Sequence, residues 1–225
     1  MEINSIGFVF LARYNGEMPA KKTSSPELGN EILVAEYEYI ANSASQANED
    51  RARVASFYLV AVGSLVAALF STQIFDTSTN FATLSILFSG LFFVLTLLGG
   101  LTVIQLARLR AAWYESMQAL NQIKEYAINK DNELADAFLW RNKSMPPLYK
   151  VNSVSYQQTL EVAILSGLTF GAAIYFFQIG VGYYCTSCNW AYTISGALLG
   201  FISQLYIYKR FLLHNVKEKH HAPQL

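Results

Sequence analysis

Charge is scarce in this chain. Only 14% of its 225 residues are Asp, Glu, Lys or Arg, while 53% are hydrophobic; an ordinary soluble domain carries about 25% charged residues. No charge occurs from Val54 to Phe75, or from Thr77 to Ala107, so Asp76 alone divides those two runs. A third uncharged run covers the 47 residues from Val162 to Tyr208. One crossing of a bilayer needs about 20 apolar residues. The runs therefore exclude a soluble fold and predict an all-α integral membrane protein with four transmembrane helices, near 54–75, 82–107, 156–182 and 190–209.

Histidine is scarcer still. The three copies, His214, His220 and His221, all lie near the C-terminal end, so no histidine is available inside a span to ligate a haem iron. A clustered zinc-ligand set is missing, as are a Ser-His-Asp arrangement, a Gly-rich phosphate loop and an HExxH motif. These absences predict no catalytic residues, no metal site and no cofactor. The chain has only two cysteines, Cys185 and Cys188, in YYCTSCNW. Two thiolates cannot complete a four-ligand structural zinc site, and a thioredoxin-like pair belongs in a soluble α/β context. They are either a disulfide closing a small loop in an oxidising compartment or two free thiols.

Net charge is zero, which by itself predicts nothing about nucleic acid, and no nucleic acid is expected as a partner; the distribution of charge is more informative. Of the 16 Lys and Arg, five precede Val54, seven lie between Ala107 and Tyr156, and four follow from Lys209 onward. The short turns around 76–80 and 183–189 have none. By the positive-inside rule, both termini and the middle connector are expected in the cytoplasm of a bacterial cell, with the chain crossing the inner membrane four times. Arg51, Arg53, Arg108, Arg110, Lys209 and Arg210 mark the membrane boundary. The four arginines beside the first hairpin either anchor to lipid phosphates or transmit arm movement to the spans. The opening MEINSIGFVFLARYNGE lacks a basic start and a long apolar run, so it does not read as a signal peptide. Residues 1–24 are expected to form a tail, with docking of Ile6 to Ala12 as the alternative.

Outside the lipid the pattern stays helical. Ser25-Pro26-Glu27 has the residue types of a helix start. Leu33, Tyr37, Ile40, Ala44 and Ala47 then recur at the narrow spacing of a coiled-coil seam, continued by Val54 and Tyr58. After Ala107 the segment RLRAAWYESMQALNQIKEYAINKDNELADAFLW contains neither Pro nor Gly and places Trp113, Met117, Leu120, Ile123 and Ala127 on one side. Ser144-Met145-Pro146-Pro147 stops it. Residues 25–145 are thus predicted to be one transmembrane hairpin with long cytoplasmic arms packed as an antiparallel pair. A linker spans 146–155, a second hairpin opened by a Ser155 to Gln158 capping box spans 156–210, and residues 211–225 form a cytoplasmic tail.

Small residues suggest where spans meet. Ala163, Gly167 and Gly171 fall at four-residue spacing in the third span, Gly196 and Gly200 in the fourth, and Gly63 with Ala67 in the first; in lipid such faces permit close helix approach. Ser64, Ser71, Ser89, Thr96 and Gln105 are candidates to line a conduction path, although serine and threonine commonly bond back to their own helix. Glu161 is an acid near a span and so a candidate proton or cation carrier; its place close to the helix start also fits an interfacial carboxylate.

The segments ILVAEYEYIANSASQANEDRAR and QLARLRAAWYESMQALNQIKEY, which flank the first hairpin, give residues 31–143 a layout that resembles the SLATT domains of bacterial conflict systems. That resemblance implies an oligomeric membrane effector, of pore-forming type, answering a cytoplasmic partner or nucleotide signal. No site residue follows from it. Three functions are therefore expected to compete: a homo-oligomeric channel with a cytoplasmic stalk, a non-conducting scaffold that tethers a cytoplasmic protein partner, and a small-solute transporter using Glu161. Membrane lipid is a partner in all three.

Overall fold

A computed structural model describes residues 26–71, 81–183 and 186–221. The tail 1–24, Ser25, Asp76 and Cys185 lie outside the described residues, as do the side chains of Ser71, Cys188, His220 and His221. The described residues form four α-helices and no strand: α1, Pro26–Ser71; α2, Phe81–Lys130; α3, Val154–Gly180; and α4, Thr186–His221. Two 3-10 helices, Asn132–Ala135 and Asn142–Ser144, interrupt the α2–α3 connection. α1, α2 and α3 are each long and apolar enough to cross a membrane. α4 is not among them, because tyrosines 192, 206 and 208, Gln204 and several hydroxyl residues dilute its apolar stretch.

α2 and α3 are the central elements, each touching all three other helices. The core follows them, with Tyr58 and Val62 from α1, Phe92, Leu95, Val103 and Leu106 from α2, Val162 and Ala173 from α3, and Tyr208 and Leu212 from α4. Phe176 stacks on Phe92 at 5.7 Å and meets Phe88 edge-on at 5.5 Å. Beyond the start of α3, α1 and α2 continue as two paired arms, with Leu33 and Tyr37 of α1 facing Ile123 and Ala127 of α2 across a groove. Their seam tightens toward the spans: Leu33 and Ile40 are half-buried, Ala44 and Ala47 buried.

Four boundaries differ from the sequence reading. The α2 arm ends at Lys130 instead of running on to the prolines. Asp131 leaves the helical region with φ −141° and its carboxylate accepts the Glu133 amide, capping the turn that follows; Asp is suited to this role because its short side chain competes for local backbone donors. The connection then folds back, and Arg141 pairs with Glu125 of α2 through two hydrogen bonds, of 3.1 and 2.8 Å. α3 is capped by Ser153, whose hydroxyl accepts the Tyr156 amide, so the cap lies two residues before Ser155. α4 begins before residue 190 and continues as helix through the segment expected to be a tail.

The α3 end is built for a tight reversal. Gly182 has φ 81°, a left-handed conformation that glycine adopts without the usual Cβ penalty. The Gly182 and Tyr183 amides return to the Ile179 and Gln178 carbonyls at 3.0 Å, which satisfies the otherwise orphaned helix end.

Candidate functional site

Two polar regions stand out in the bundle, and the first runs along the contact of α2 with α3. Ser89 donates to the Ala173 carbonyl at 2.8 Å, Ser166 to the Thr96 carbonyl at 3.2 Å, and the Thr96 and Thr169 hydroxyls lie 3.0 Å apart. Gln204 reaches in from α4 to donate to the Ser166 hydroxyl, and Tyr58 reaches in from α1 to the Leu95 carbonyl at 3.3 Å. Polar side chains of all four helices are therefore spent on neighbours. In hydrocarbon this is what keeps such groups from remaining unsatisfied.

The five lining candidates divide accordingly. Ser89 is buried, and Thr96 is half-buried with its hydroxyl also on the Phe92 carbonyl at 2.9 Å. Ser64 and Gln105 are exposed on the outer faces of α1 and α2, and the Ser71 side chain is outside the described residues. No single face of one chain carries all four described candidates.

The small residues also divide. A Cβ at Gly167 would stand 2.8 Å from the Ala197 carbonyl, and one at Gly171 2.9 Å from the Ala197 Cβ. Gly196 faces Ile174, Gly200 faces Phe170, and Ala163 is fully buried. These residues bring α3 and α4 together. Gly63 has open space around it and Ala67 is exposed. Sequence spacing missed Gly99, where a Cβ would collide with Ser166 and come within 2.7 Å of the Tyr58 hydroxyl. Gly99 thus lets α1, α2 and α3 meet at one level.

The second polar region is the junction of arms and spans. Arg51 and Arg110 are buried there, each only 6% exposed. Arg51 donates Nε to Gln158 Oε1 at 3.1 Å and Nη2 to Asn48 Oδ1 at 2.9 Å. Its Nη1 is buried and meets no hydrogen-bond partner among the described residues. Arg110 spends Nε on the Leu148 carbonyl at 3.3 Å and lies over the Trp113 ring at 4.4 Å. Burial lowers the pKa of both guanidiniums, and the charge of Arg110 lowers that of Arg51 further. Both are cations, since a guanidinium delocalises its charge and is not deprotonated in proteins.

Aromatic residues close the junction. Tyr149 of the connection, Tyr156 of α3 and Tyr208 of α4 have centroids 6.2 to 6.4 Å apart, and the Tyr208 hydroxyl meets Ser155 Oγ at 3.0 Å. Burial, then its two tyrosine neighbours, raises the Tyr149 pKa, so that phenol supplies no negative charge. Ser155 and Gln158, read from sequence as a capping pair, serve α4 and Arg51 instead.

The other boundary cations are outside this cluster. Arg53 pairs with Asp50 at 3.2 Å on an exposed surface, and Arg108 and Arg210 are exposed; Lys209 is the exception, exposed but with its ammonium 5.9 Å over the Tyr149 ring at the edge of the cluster. Glu161 is exposed on α3. Among the described residues no three His, Cys, Asp or Glu side chains converge as metal ligands. No protein-family model, curated protein or solved structure matches the chain, so the SLATT resemblance rests on the layout of residues 31–143.

Proposed function

We propose that the chain is a non-catalytic, homo-oligomeric membrane protein. In this reading its spans are a packed anchor, and its arms are a cytoplasmic stalk that gathers copies and holds a partner. The observation that carries it is the use of Ser89, Thr96, Ser166, Thr169 and Gln204 in bonds between or along helices, which leaves those groups unavailable to line water within one chain. The arms supply surface for assembly. Leu28, Ile32, Val34 and Tyr39 are 49 to 70% exposed, and a groove of about 470 Å³ opens between Leu33, Val34 and Tyr37 of α1 and Ile123, Tyr126 and Ala127 of α2. Apolar patches on a water-facing element mark interaction surfaces.

α4 is a fourth crossing in this reading. It runs beside α3 from the Tyr175–Trp190 ring contact at one end to the Ser155–Tyr208 hydrogen bond at the other, so a bilayer that α3 crosses encloses α4 too. The basic residues then place both termini and the stalk in the cytoplasm of a bacterial cell.

One observation favours conduction as a second reading. Ser64 and Gln105 face outward on α1 and α2, and Gly63 and Gly100 have open space beside them. Copies meeting on those faces would place the polar groups around a shared path. Reconstitution in liposomes separates the readings. The anchor-and-stalk protein forms oligomers that are lost when Ile32, Val34 and Tyr39 are changed to Ser, and shows no ion flux. Flux that falls in Ser64→Leu or Gln105→Leu establishes the path between copies, and a protein monomeric at all concentrations overturns both.

A further inference from the structure

Two buried guanidiniums at one junction, close enough for the charge of Arg110 to act on Arg51, need a negative charge, and no described residue forms an ion pair with either. The ion pairs seen among the described residues, Arg53–Asp50 and Arg141–Glu125, include neither Arg51 nor Arg110. Their described acceptors are all neutral: Asn48, Gln158 and the Leu148 carbonyl. Removing a charge from water without a counter-charge carries a desolvation penalty that relaxation only partly relieves, so the arrangement calls for an anion. Enough donors remain to hold one. Nη1 of Arg51 is unpartnered, and Arg110 commits only Nε among the described residues.

The donors have the form of a phosphate site. Guanidinium forks match the paired oxygens of a phosphate, often through two parallel bonds. Both side chains are held in place before a ligand arrives, Arg51 by Asn48 and Gln158, Arg110 by Leu148 and Trp113. Pre-ordered donors lose less entropy on binding. The site lies at the charged edge of the uncharged runs 54–75 and 77–107 and at the start of α3, which in the proposed membrane reading is the depth of a lipid headgroup, and it joins α1, α2, α3 and the connection.

We propose that Arg51 and Arg110 form a binding site for one phosphate group, at the junction where the arms enter the bundle. The phosphate belongs either to a lipid headgroup or to a free phosphorylated solute. Binding supplies the counter-charge that the described residues lack and clamps the α1 and α2 arms to the start of α3.

The test uses full-length protein in phosphate-free maltoside, with Trp140→Phe and Trp190→Phe so that Trp113, stacked on Arg110, is the sole reporter. Phosphorus content after washing is measured first; a phosphate retained by this protein and lost in Arg51→Gln supports the site. Inorganic phosphate and short-chain phosphatidylglycerol are then titrated separately at constant ionic strength. A saturable change in Trp113 emission is expected in at least one arm. Arg51→Gln should weaken it by about tenfold or more, the order set by one charge-assisted hydrogen bond. Arg53→Gln and Arg108→Gln should change it by about twofold or less, as exposed charges do. Saturation by lipid alone assigns a headgroup, and saturation by both assigns a free phosphate. If Arg51→Gln does not fold, the parent titrations decide. No retained phosphorus with no saturable response, or equal loss in the exposed-arginine variants, overturns the proposal.

Discussion

Ser166 joins three helices through one hydroxyl: it donates to the Thr96 carbonyl of α2 and accepts from Gln204 of α4. Its removal strands the Gln204 amide, which is buried and already has an unpartnered oxygen. Ser166→Ala should therefore cost about 1–3 kcal/mol, the desolvation penalty of a buried donor left alone. Thr102 bonds only to Leu98 in its own helix, so Thr102→Ala should remain within about 0.5 kcal/mol. Thermal unfolding in detergent compares the two, and equal costs would show that the network adds nothing beyond local bonding. The sequence offered no means of ranking these hydroxyls, because back-bonded and interhelical serines have the same composition signal. Arg51 was more legible. It continues the spacing Leu33, Tyr37, Ile40, Ala44, Ala47 by four residues and so falls on the inward seam, whereas Arg53 does not. Reading both as boundary markers missed a distinction that periodicity contains.

At the scale of the element, the helix that stops early shows what local polar chemistry can override. Residues 107–140 carry an unbroken helical composition, yet Asp131 caps a new turn and the chain returns to α2 through Arg141 and Glu125. The pair could not be foreseen from spacing, since its two residues meet only after the helix has ended between them. Arg141 holds the Glu125 carboxyl below its ordinary pKa, chiefly by hydrogen bonding. A depressed carboxylate contributes stability that is present above the unfolded value and lost as pH falls through the folded one. The tie should thus hold at neutral pH and weaken on acidification below an ordinary Glu pKa of about 4.3. Arg141→Ala should produce the same release at pH 7, seen as faster amide exchange across residues 132–148 with that of α3 unchanged. Uniform exchange in the variant and the parent would mean that the Pro-containing connection is held by its Leu148 and Tyr149 packing alone.

For the whole molecule, the apolar runs told more than any motif, because three of the four helices follow directly from bilayer thickness and composition. The fourth is the instructive case. α4 has tyrosines, a glutamine and serines where a solitary span would have aliphatic residues, but Gln204 is spent on Ser166 and Tyr208 on Ser155. A helix that gives its polar groups to a neighbour can enter hydrocarbon with less apolar surface than one that stands alone. Crossing by α4 can be separated from its lying at the surface by the position of the C-terminal end. With Cys185 and Cys188 changed to Ser, a single cysteine at Gln224 should be shielded from a membrane-impermeant maleimide in intact cells and react after lysis. A cysteine placed at Ser78, between α1 and α2 in the sequence, should react in both. Labelling of the Gln224 position in intact cells would put that terminus on the side opposite the arms and remove α4 from the membrane-spanning set. The two polar contacts would then belong to a helix lying outside the bilayer, a geometry at odds with its packing beside α3 from Ser155 to Tyr175.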